Sequence, residues 1–395
     1  TTNGTVTDIN GKYKLSNVDS DATLVFSFIG MTTVEEKVNG RSEINVSLAE
    51  EAKALENVVV IGYGTARKMD LTGSIASVTN DVISKQPALN ALQSIQGKVS
   101  GVNIVNNDAP GAAPTVVIRG LGTALGGREP LYIVDGFPVT DIKNISSSDI
   151  LTMDILKDAA SASIYGVRAA NGVVLITTKK GKTGKPKIGV ESYVGMKDIL
   201  HRVKMANAQE YIEYYNQNQS MLSNPKKLQD AAKQPYNTDW YKELIKTGIT
   251  TNNLVSINGG GENVNYYVSY NYYDESGILD GQNYKRSTIR NNNEYFLFDK
   301  KLKINQTVNL SFSTETPKPY GAFDEAYRQS PLVPVKYPNG KWGMPFVNTT
   351  TGIVTYEGAT TDTFGKINSI GNPVYTVESY NQKNNTFTLQ GGFEG

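Results

Sequence analysis

The chain has 395 residues, more than one ordinary domain usually holds, so two or three folded units are expected. Its 39 basic and 38 acidic residues leave a formal charge of +1, which argues against a nucleic-acid footprint or a polybasic membrane patch. Cysteine is absent and His201 is the only histidine, which excludes disulfides and thiolate chemistry and argues against histidine-based zinc sites and triads.

Residues 1–49 alternate as short strands, GTVTD, YKLSNV, TLVFSFIG, TTVEEKV and EINVSL, with hairpin signals at Asn10-Gly11 and Asn39-Gly40. A type I′ turn needs two residues at positive φ, which those pairs supply. The segment reads as a small β-sandwich whose first strand lies at the terminus itself. Thr1 is not Met and no signal peptide precedes it, so the chain is expected to begin inside a longer protein.

The stretch LENVVVIGYGTARKMD, residues 55–70, holds four consecutive β-branched residues, Val58 to Ile61, halted at Gly62-Tyr63-Gly64. Stiff β-branched side chains favour an extended strand. Charged residues flank the run on both sides and no hairpin partner is evident, so it reads as a strand awaiting a partner.

Residues 71–180 mix elements. A helix is expected at ALNALQSIQGK, ended by glycine, with β runs at GVNIV, TVVIRG and PLYIVDG. A Ser-capped turn SSSDI, a strand TMDILK, a short Ala/Ser helix DAASASIYG and a strand NGVVLITTKK follow. This is a compact α+β domain that stops at a GKTGKPK linker.

Tyrosine then marks a break. Only Tyr13, Tyr63, Tyr132 and Tyr165 precede residue 181, and the other nineteen of the 23 fall in the remaining 215 positions. A Tyr/Asn/Ser/Thr-rich part without helical periodicity implies many strands, in a secreted sandwich or an outer-membrane barrel. No apolar run approaches the roughly 18 residues of a spanning helix. KLKINQTVNLSFS, residues 301–313, alternates strictly, with Leu302, Ile304, Gln306, Val308, Leu310 and Phe312 on one face. That length exceeds a soluble strand of about 5 or 6 residues and suits a tilted membrane strand of about 9 to 11. VNYYVSYNYY and NTFTLQGGFEG repeat the pattern, and IGVESYVGM and NLVSING follow it loosely. Short connections, GGGEN and DKK, alternate with long ones, residues 197–250, ESGILDGQNYK and residues 314–383. Barrels pair tight periplasmic turns with extended outer loops in this way.

Fingerprints of chemistry fail. GKT at Gly181 to Thr183 lacks the earlier P-loop glycine, since Ile176 stands there, and RGLGTALGG lacks the third dinucleotide glycine, since Leu125 stands there. Asp135, Asp154 and Asp158 read as turn and surface charges rather than paired catalytic carboxylates, and His201 as solvent-exposed. Arg119 ends a strand and Asp135 precedes Gly136, so the two either form a buried ion pair or occupy ordinary surface positions. No catalytic residue, metal ligand or cofactor site emerges.

The order of parts, with VVVIGYG, IRG, PLYIVDGFPV and ILKDAASASIYGVRAANGVVLITTKKG, resembles the SusC/RagA group of TonB-dependent outer-membrane transporters. The resemblance implies a mainly β fold: a truncated carboxypeptidase-regulatory-like β-sandwich (1–49), a linker with a TonB box (50–65), an α+β plug domain (66–180) and part of an antiparallel transmembrane β-barrel (186–395). It makes Val58, Val59, Val60, Ile61, Gly62, Tyr63 and Gly64 the segment captured by TonB, with Gly62 and Gly64 letting the chain leave the strand. It makes Arg119, Gly120, Asp135 and Gly136 the plug motif. About six strands are too few to close a barrel, and open edges are not tolerated in hydrocarbon, so a fragment at both ends is expected.

What the resemblance implies for function is energy-coupled import of oligosaccharides, or in some members peptides, across the outer membrane of a Gram-negative bacterium. The plug is the gate, TonB and its inner-membrane complex supply the pull, and a SusD-like surface lipoprotein acts as lid. Lipid would surround the barrel. A siderophore or cobalamin receptor, or a secreted β-rich carbohydrate-binding adhesin, are the alternatives.

Overall fold

The computed structural model describes residues 4–8, 11–28, 31, 33–48, 58–61, 64–67, 75–84, 90–120, 127, 129–158, 162–355 and 364–395. The chain divides into two compact units, Thr1–Leu71 and Thr72–Gly395.

In the first unit, β1 (Thr23–Phe26) pairs antiparallel with β2 (Val34–Lys37), Thr23 opposite Lys37. Tyr13 closes this pair from one side: its ring meets Phe26 edge-on at 5.4 Å and its hydroxyl donates to the Ile44 carbonyl at 2.9 Å. Asn39 and Gly40 both take positive φ, 47° and 71°, and Arg41 N–H bonds the Val38 carbonyl at 2.9 Å, which is the turn their sequence demands. Among the described residues, GTVTD, YKLSNV and EINVSL form no ladder, and β1–β2 is the strand pair of this segment. Alternation alone supplies a strand's face but not its partner.

The β-branched run is strand β3 (Val58–Ile61), and it has a partner on its own chain. β4 (Gly64–Arg67) pairs with it antiparallel, Val58 opposite Arg67 and Ile61 opposite Gly64. Gly64 therefore opens a second strand instead of releasing the first, while Gly62 and Tyr63 lie outside the described residues. GTAR carries no apolar run, which is why the hairpin is invisible in the pattern.

The second unit begins with the plug. Its strands are β5 (Ile75–Thr79), β6 (Val102–Val105), β7 (Thr115–Ile118), β8 (Leu131–Val134), β9 (Phe137–Val139), β10 (Ile150–Leu156) and β11 (Val173–Thr178). Five form a sheet in the order β5-β10-β11-β8-β9, in which only β11 and β8 run parallel, and β6 and β7 form a separate hairpin. Ile83, Leu92, Ile95, Ile104, Val116, Met153, Ile155, Val174 and Ile176 bury a common core. Burying each such side chain stabilises by about 1.5–3 kcal/mol, so the sheet is held by apolar packing within the plug itself.

Local chemistry departs from expectation at three points. The helix expected over residues 88–98 is a single turn, Ala91–Ser94, where the Leu92 N–H donates to the Asn90 side chain, and Gly97 at φ 72° turns the chain out. The Ala/Ser segment is a 3-10 stretch, Ser163–Ala169, broken at Gly166, whose φ is 67°. SSSDI forms a 3-10 turn, Ser147–Asp149, without a side-chain cap from Ser146.

Six long strands follow in one antiparallel sheet: β12 (Gly184–Lys197), β13 (Gly248–Gly260), β14 (Val264–Ser276), β15 (Asn283–Leu297), β16 (Leu302–Thr316) and, after the small pair β17 (Phe346–Asn348) and β18 (Phe364–Lys366), β19 (Asn384–Glu394). At 11 to 15 residues they are about twice the common length of a strand in a soluble protein. Their side chains sort by parity. On β16, Asn309, Ser311 and Ser313 are buried, while Phe312 is 52% exposed; on β19, Leu389 is 63% exposed. Outward positions on neighbouring strands, Val255, Tyr270 and Ile289, extend the same apolar band.

At one end the strands are joined by residues 261–263 and 298–301, at the other by 198–247, 277–282 and 317–383. The alternation of short and long holds with one change: β14 and β15 run on into ESGILDGQNYK, leaving only 277–282 as connection. The two longest connections are not structureless. They carry helices Ala208–Gln219, Trp240–Leu244, Gly321–Arg328 and Pro373–Ser379, and share a core of Ile212, Trp240, Leu244, Leu332, Val333 and Val377 that also takes in Leu279. Asn207 and Glu210 form a capping box on the first helix. Tyr211 and Tyr215, half-buried against that core, blur the helical period, because their apolar rings carry polar tips.

Candidate functional site: a polar seam between plug and sheet

Asp135 and Gly136 are the two turn residues between β8 and β9, with φ of 47° and 89°. This I′ geometry suits Asp followed by Gly and holds the carboxylate at the end of the plug sheet. Thr178, at the end of β11, gives Asp135 its backbone N–H at 2.8 Å and its hydroxyl at 2.6 Å. The third donor comes from across the seam: Arg290 of β15 forms an ion pair with Asp135, and also donates to the Thr178 hydroxyl at 2.7 Å. Asn292, one step along the same face, donates to Thr178 at 2.9 Å and to the Lys179 carbonyl at 2.8 Å.

The seam continues along β14, β15, β16 and β19. Tyr267 and Ser269 both donate to the Asp149 carboxylate at 2.8 Å. Burial pushes that carboxyl above the usual range, against the pull of Arg290 and of the two hydroxyls. Arg286 donates to the Lys143 carbonyl and lies over the Tyr273 ring at 5.7 Å. Asn309 donates to the Asn144 carbonyl at 3.3 Å, and Asn144 donates to Thr388 at 3.0 Å. The tip of the Phe137 ring packs so close on Gly392 that a Cβ there would stand 2.0 Å from it.

At the end of the strands bearing the long connections a second clamp forms. Lys197 pairs with Glu275 at 2.9 Å and donates to the Asp108 carbonyl at 2.9 Å, while Gly111 N–H donates to Glu275 at 3.3 Å. Beside it lies a cavity of about 680 Å³, lined by Gln93, Gln96, Asn106 and Asn107 of the plug and by Tyr193 and Tyr273 of the sheet.

Apart from close packing of Phe137 on Gly392 and of Gly111 on Tyr284, the contacts between plug and sheet named above are hydrogen bonds and ion pairs, whereas the plug core is apolar. An interface of that kind is held by geometry: each buried charge is costly alone and tolerable when paired. Two guanidinium atoms, Arg286 Nε and Arg290 Nε, find no acceptor among the described residues, which lowers the net worth of the closed seam. The arrangement suits a body seated firmly yet separable without exposing its core.

Arg119 and Asp135 do not pair with each other. Arg119, at φ 54° before Gly120, pairs with Asp158 at a half-exposed position away from the seam. Asp154 is buried on β10, where Ser77 donates to it, and is not a surface charge. Gly181 of GKT packs on the backbone of Tyr266, Lys182 N–H bonds Asn258 and Thr183 bonds Asn265, so this segment is occupied in joining plug to sheet. Residues 121–126 of RGLGTALGG lie outside the described residues, and His201 is exposed. Sequence reading missed Arg286, Arg290, Asp149 and Glu275. For Arg286, Arg290 and Glu275 the signal is a charged residue on the inward parity of a long strand, and β15 hides it because Ser287 and Asn291 make its outward face polar too, while Asp149 lies in the plug turn Ser147–Asp149 and carries no such pattern.

Residues 67–173 match the TonB-dependent Receptor Plug Domain and residues 1–60 the CarboxypepD_reg-like domain. TonB-dependent receptor P39 of Formosa agariphila is 38% identical over 290 residues, covering 73% of this chain and 28% of that protein. TonB-dependent receptor SusC of Bacteroides thetaiotaomicron is 33% identical over 415 residues, covering 100% of this chain and 40% of that protein. The RagAB peptide importer in its open-open state superimposes with a TM-score of 0.61 at 29% identity, over 67% of this chain and 33% of that one. The chain spans 28% and 40% of the length of these two curated relatives, respectively.

A plug domain seated against the inward face of a partial antiparallel sheet of barrel strands places the chain in the class of TonB-dependent receptors. Within that class it resembles the SusC/RagA group, from the CarboxypepD_reg-like segment through the plug to the barrel strands.

Proposed function

We propose that the complete protein is an outer-membrane importer of large nutrients, oligosaccharides or peptides, whose plug is a gate opened by TonB. The observation that carries this reading is the polar seam around Asp135 and Arg290. A barrel of this class has a lumen that must be filled, and the outer membrane stores no energy of its own. A plug with an apolar core and a hydrogen-bonded rim can be displaced by a pull without unfolding first. No covalent chemistry is required of any residue.

Val58 to Ile61, with Gly62, Tyr63 and Gly64, serve as the TonB-capture segment, and Arg119, Gly120, Asp135 and Gly136 as turn and clamp residues of the plug. The folded connections 198–247 and 317–383 form the outward-facing surface, where a SusD-like lipoprotein would sit as lid. The likeness to the RagAB peptide importer supports peptides as cargo, and the resemblance to the SusC/RagA group implies oligosaccharides as the other class.

The test is uptake by cells expressing the full-length receptor as sole route for a panel of labelled oligosaccharides and peptides. Uptake of one class is expected, with loss on deleting TonB or dissipating the inner-membrane proton gradient. Accumulation that survives both treatments would sink the gate mechanism.

A further inference from the structure

The pairing of β3 with β4 has a consequence for the coupling step. Only two residues separate Ile61 from Gly64, and these two are directly opposite. In a two-residue hairpin the pair flanking the turn exchanges both backbone hydrogen bonds, and successive pairs then alternate between bonded and unbonded. Ile61 and Val59 therefore spend their N–H and C=O groups on Gly64 and Ala66, inside the hairpin. Val58 and Val60 turn theirs away from β4, to the outer edge.

We propose that the partner strand, that of TonB, joins only this outer edge of β3 and leaves β4 in place, so the hairpin supplies two preformed strands of a coupling sheet of at least three. This rests on the TonB-dependent reading above and adds to it the edge used and the amides that carry it. Strand addition takes its affinity from main-chain hydrogen bonds, which the outer edge offers through Val58 and Val60. β4 is the poorer edge, because Gly64 in its backbone weakens a strand. The paired state also fixes the extended backbone of β3 before the partner arrives, so less ordering is left to binding. A lone two-stranded hairpin is marginal in water, and a third strand completes it.

The proposal separates three prolines that composition alone would treat alike. Val60→Pro removes an outward donor and keeps the hairpin ladder. Thr65→Pro does the same on β4. Ala66→Pro removes an inward donor and breaks the ladder. The experiment is binding of the purified TonB C-terminal domain to the full-length receptor in detergent, with outer-membrane abundance of each variant checked first. Val60→Pro is expected to weaken binding about tenfold, the worth of a lost backbone bond. Thr65→Pro should stay within about twofold of the parent, and Ala66→Pro should weaken binding a few-fold because β3 must then be ordered on binding.

Equal weakening by Thr65→Pro and Val60→Pro would overturn the choice of edge. Tighter binding by Ala66→Pro would make β4 a cover that must leave, and would overturn the preformed sheet. A parent receptor that binds the TonB domain, with all three variants unchanged, would place the capture strand elsewhere in the chain. A parent that does not bind it would remove the TonB reading itself.

Discussion

Asp135, at the tip of a plug hairpin, and Arg290, on the inward face of a barrel strand, form an ion pair whose side chains are 5% and 1% exposed. Removing one partner leaves the other charge buried without compensation, which costs about 3–5 kcal/mol. Asp135→Asn keeps the positive-φ turn, since Asn tolerates it, and deletes only the charge. In the full-length receptor, Asp135→Asn and Arg290→Met should each lower the unfolding temperature and raise ion conductance in planar bilayers. The double variant should cost less than the sum of the two, because neither charge is then stranded. Additive effects would mean the pair does not hold the plug.

How much of this was legible follows from the kind of signal each part carries. The plug strands at PLYIVDG and NGVVLITTKK and the alternating strand at residues 301–313 rest on local pattern, and each lies where the pattern put it, in Leu131–Val134, Val173–Thr178 and Leu302–Thr316. The seam is long-range. Arg290 stands 155 positions from Asp135, and nothing near either residue announces the other. Arg119 was an equally good local candidate and pairs instead with Asp158. The hairpin of Val58–Ile61 was missed for a different reason: its second strand, GTAR, has the composition of a loop and becomes a strand only through its neighbour.

Asp149 supplies a pH prediction. Its carboxyl is raised by burial, so the folded protein binds this proton more tightly than the unfolded chain does. Stability contributed by this group is therefore greatest in acid and falls as pH rises from the ordinary carboxylate range, about 3.9, through the raised folded value. Asp149→Asn keeps an acceptor for Tyr267 and Ser269 and does not ionise. The stability of the variant relative to the parent should therefore climb with pH across that window. Thermal unfolding of both proteins in detergent between pH 4 and 8, each value about half a unit apart, measures it. A constant offset would show that Asp149 does not titrate in this range.

Gly111 tests the second clamp. Its φ is 74°, and a Cβ there would lie 2.2 Å from the Tyr284 ring. Gly111→Ala is strained by about 1–2 kcal/mol in backbone alone and must also push the ring aside. The 106–112 segment should lift from the wall, releasing the Asp108 carbonyl from Lys197 and the Gly111 amide from Glu275. Limited proteolysis should then cut within 106–112 in the variant and not in the parent. Adding Tyr284→Ala should restore part of the protection, since it relieves the clash but not the φ. Equal protection of Gly111→Ala and parent would show that the clamp does not depend on this close approach.

The sharpest separation is between two adjacent residues of β16. Leu310 points outward in the apolar band, level with Ile289 and Leu389 on the neighbouring strands, while Asn309 is buried and donates to the Asn144 carbonyl of the plug. An arginine on the lipid face near mid-bilayer costs about 2–4 kcal/mol, so Leu310→Arg should deplete the full-length receptor from the outer membrane. Asn309→Arg puts the same charge on the inner face, where the expense is a disturbed contact with the plug and not a cation in hydrocarbon. That variant should reach the membrane in near-normal amount and show raised bilayer conductance. The two readouts, abundance in outer-membrane fractions and conductance of the purified protein, should therefore move in opposite variants. If both variants assemble equally well, the parity that separates the two faces of β16 has been assigned wrongly.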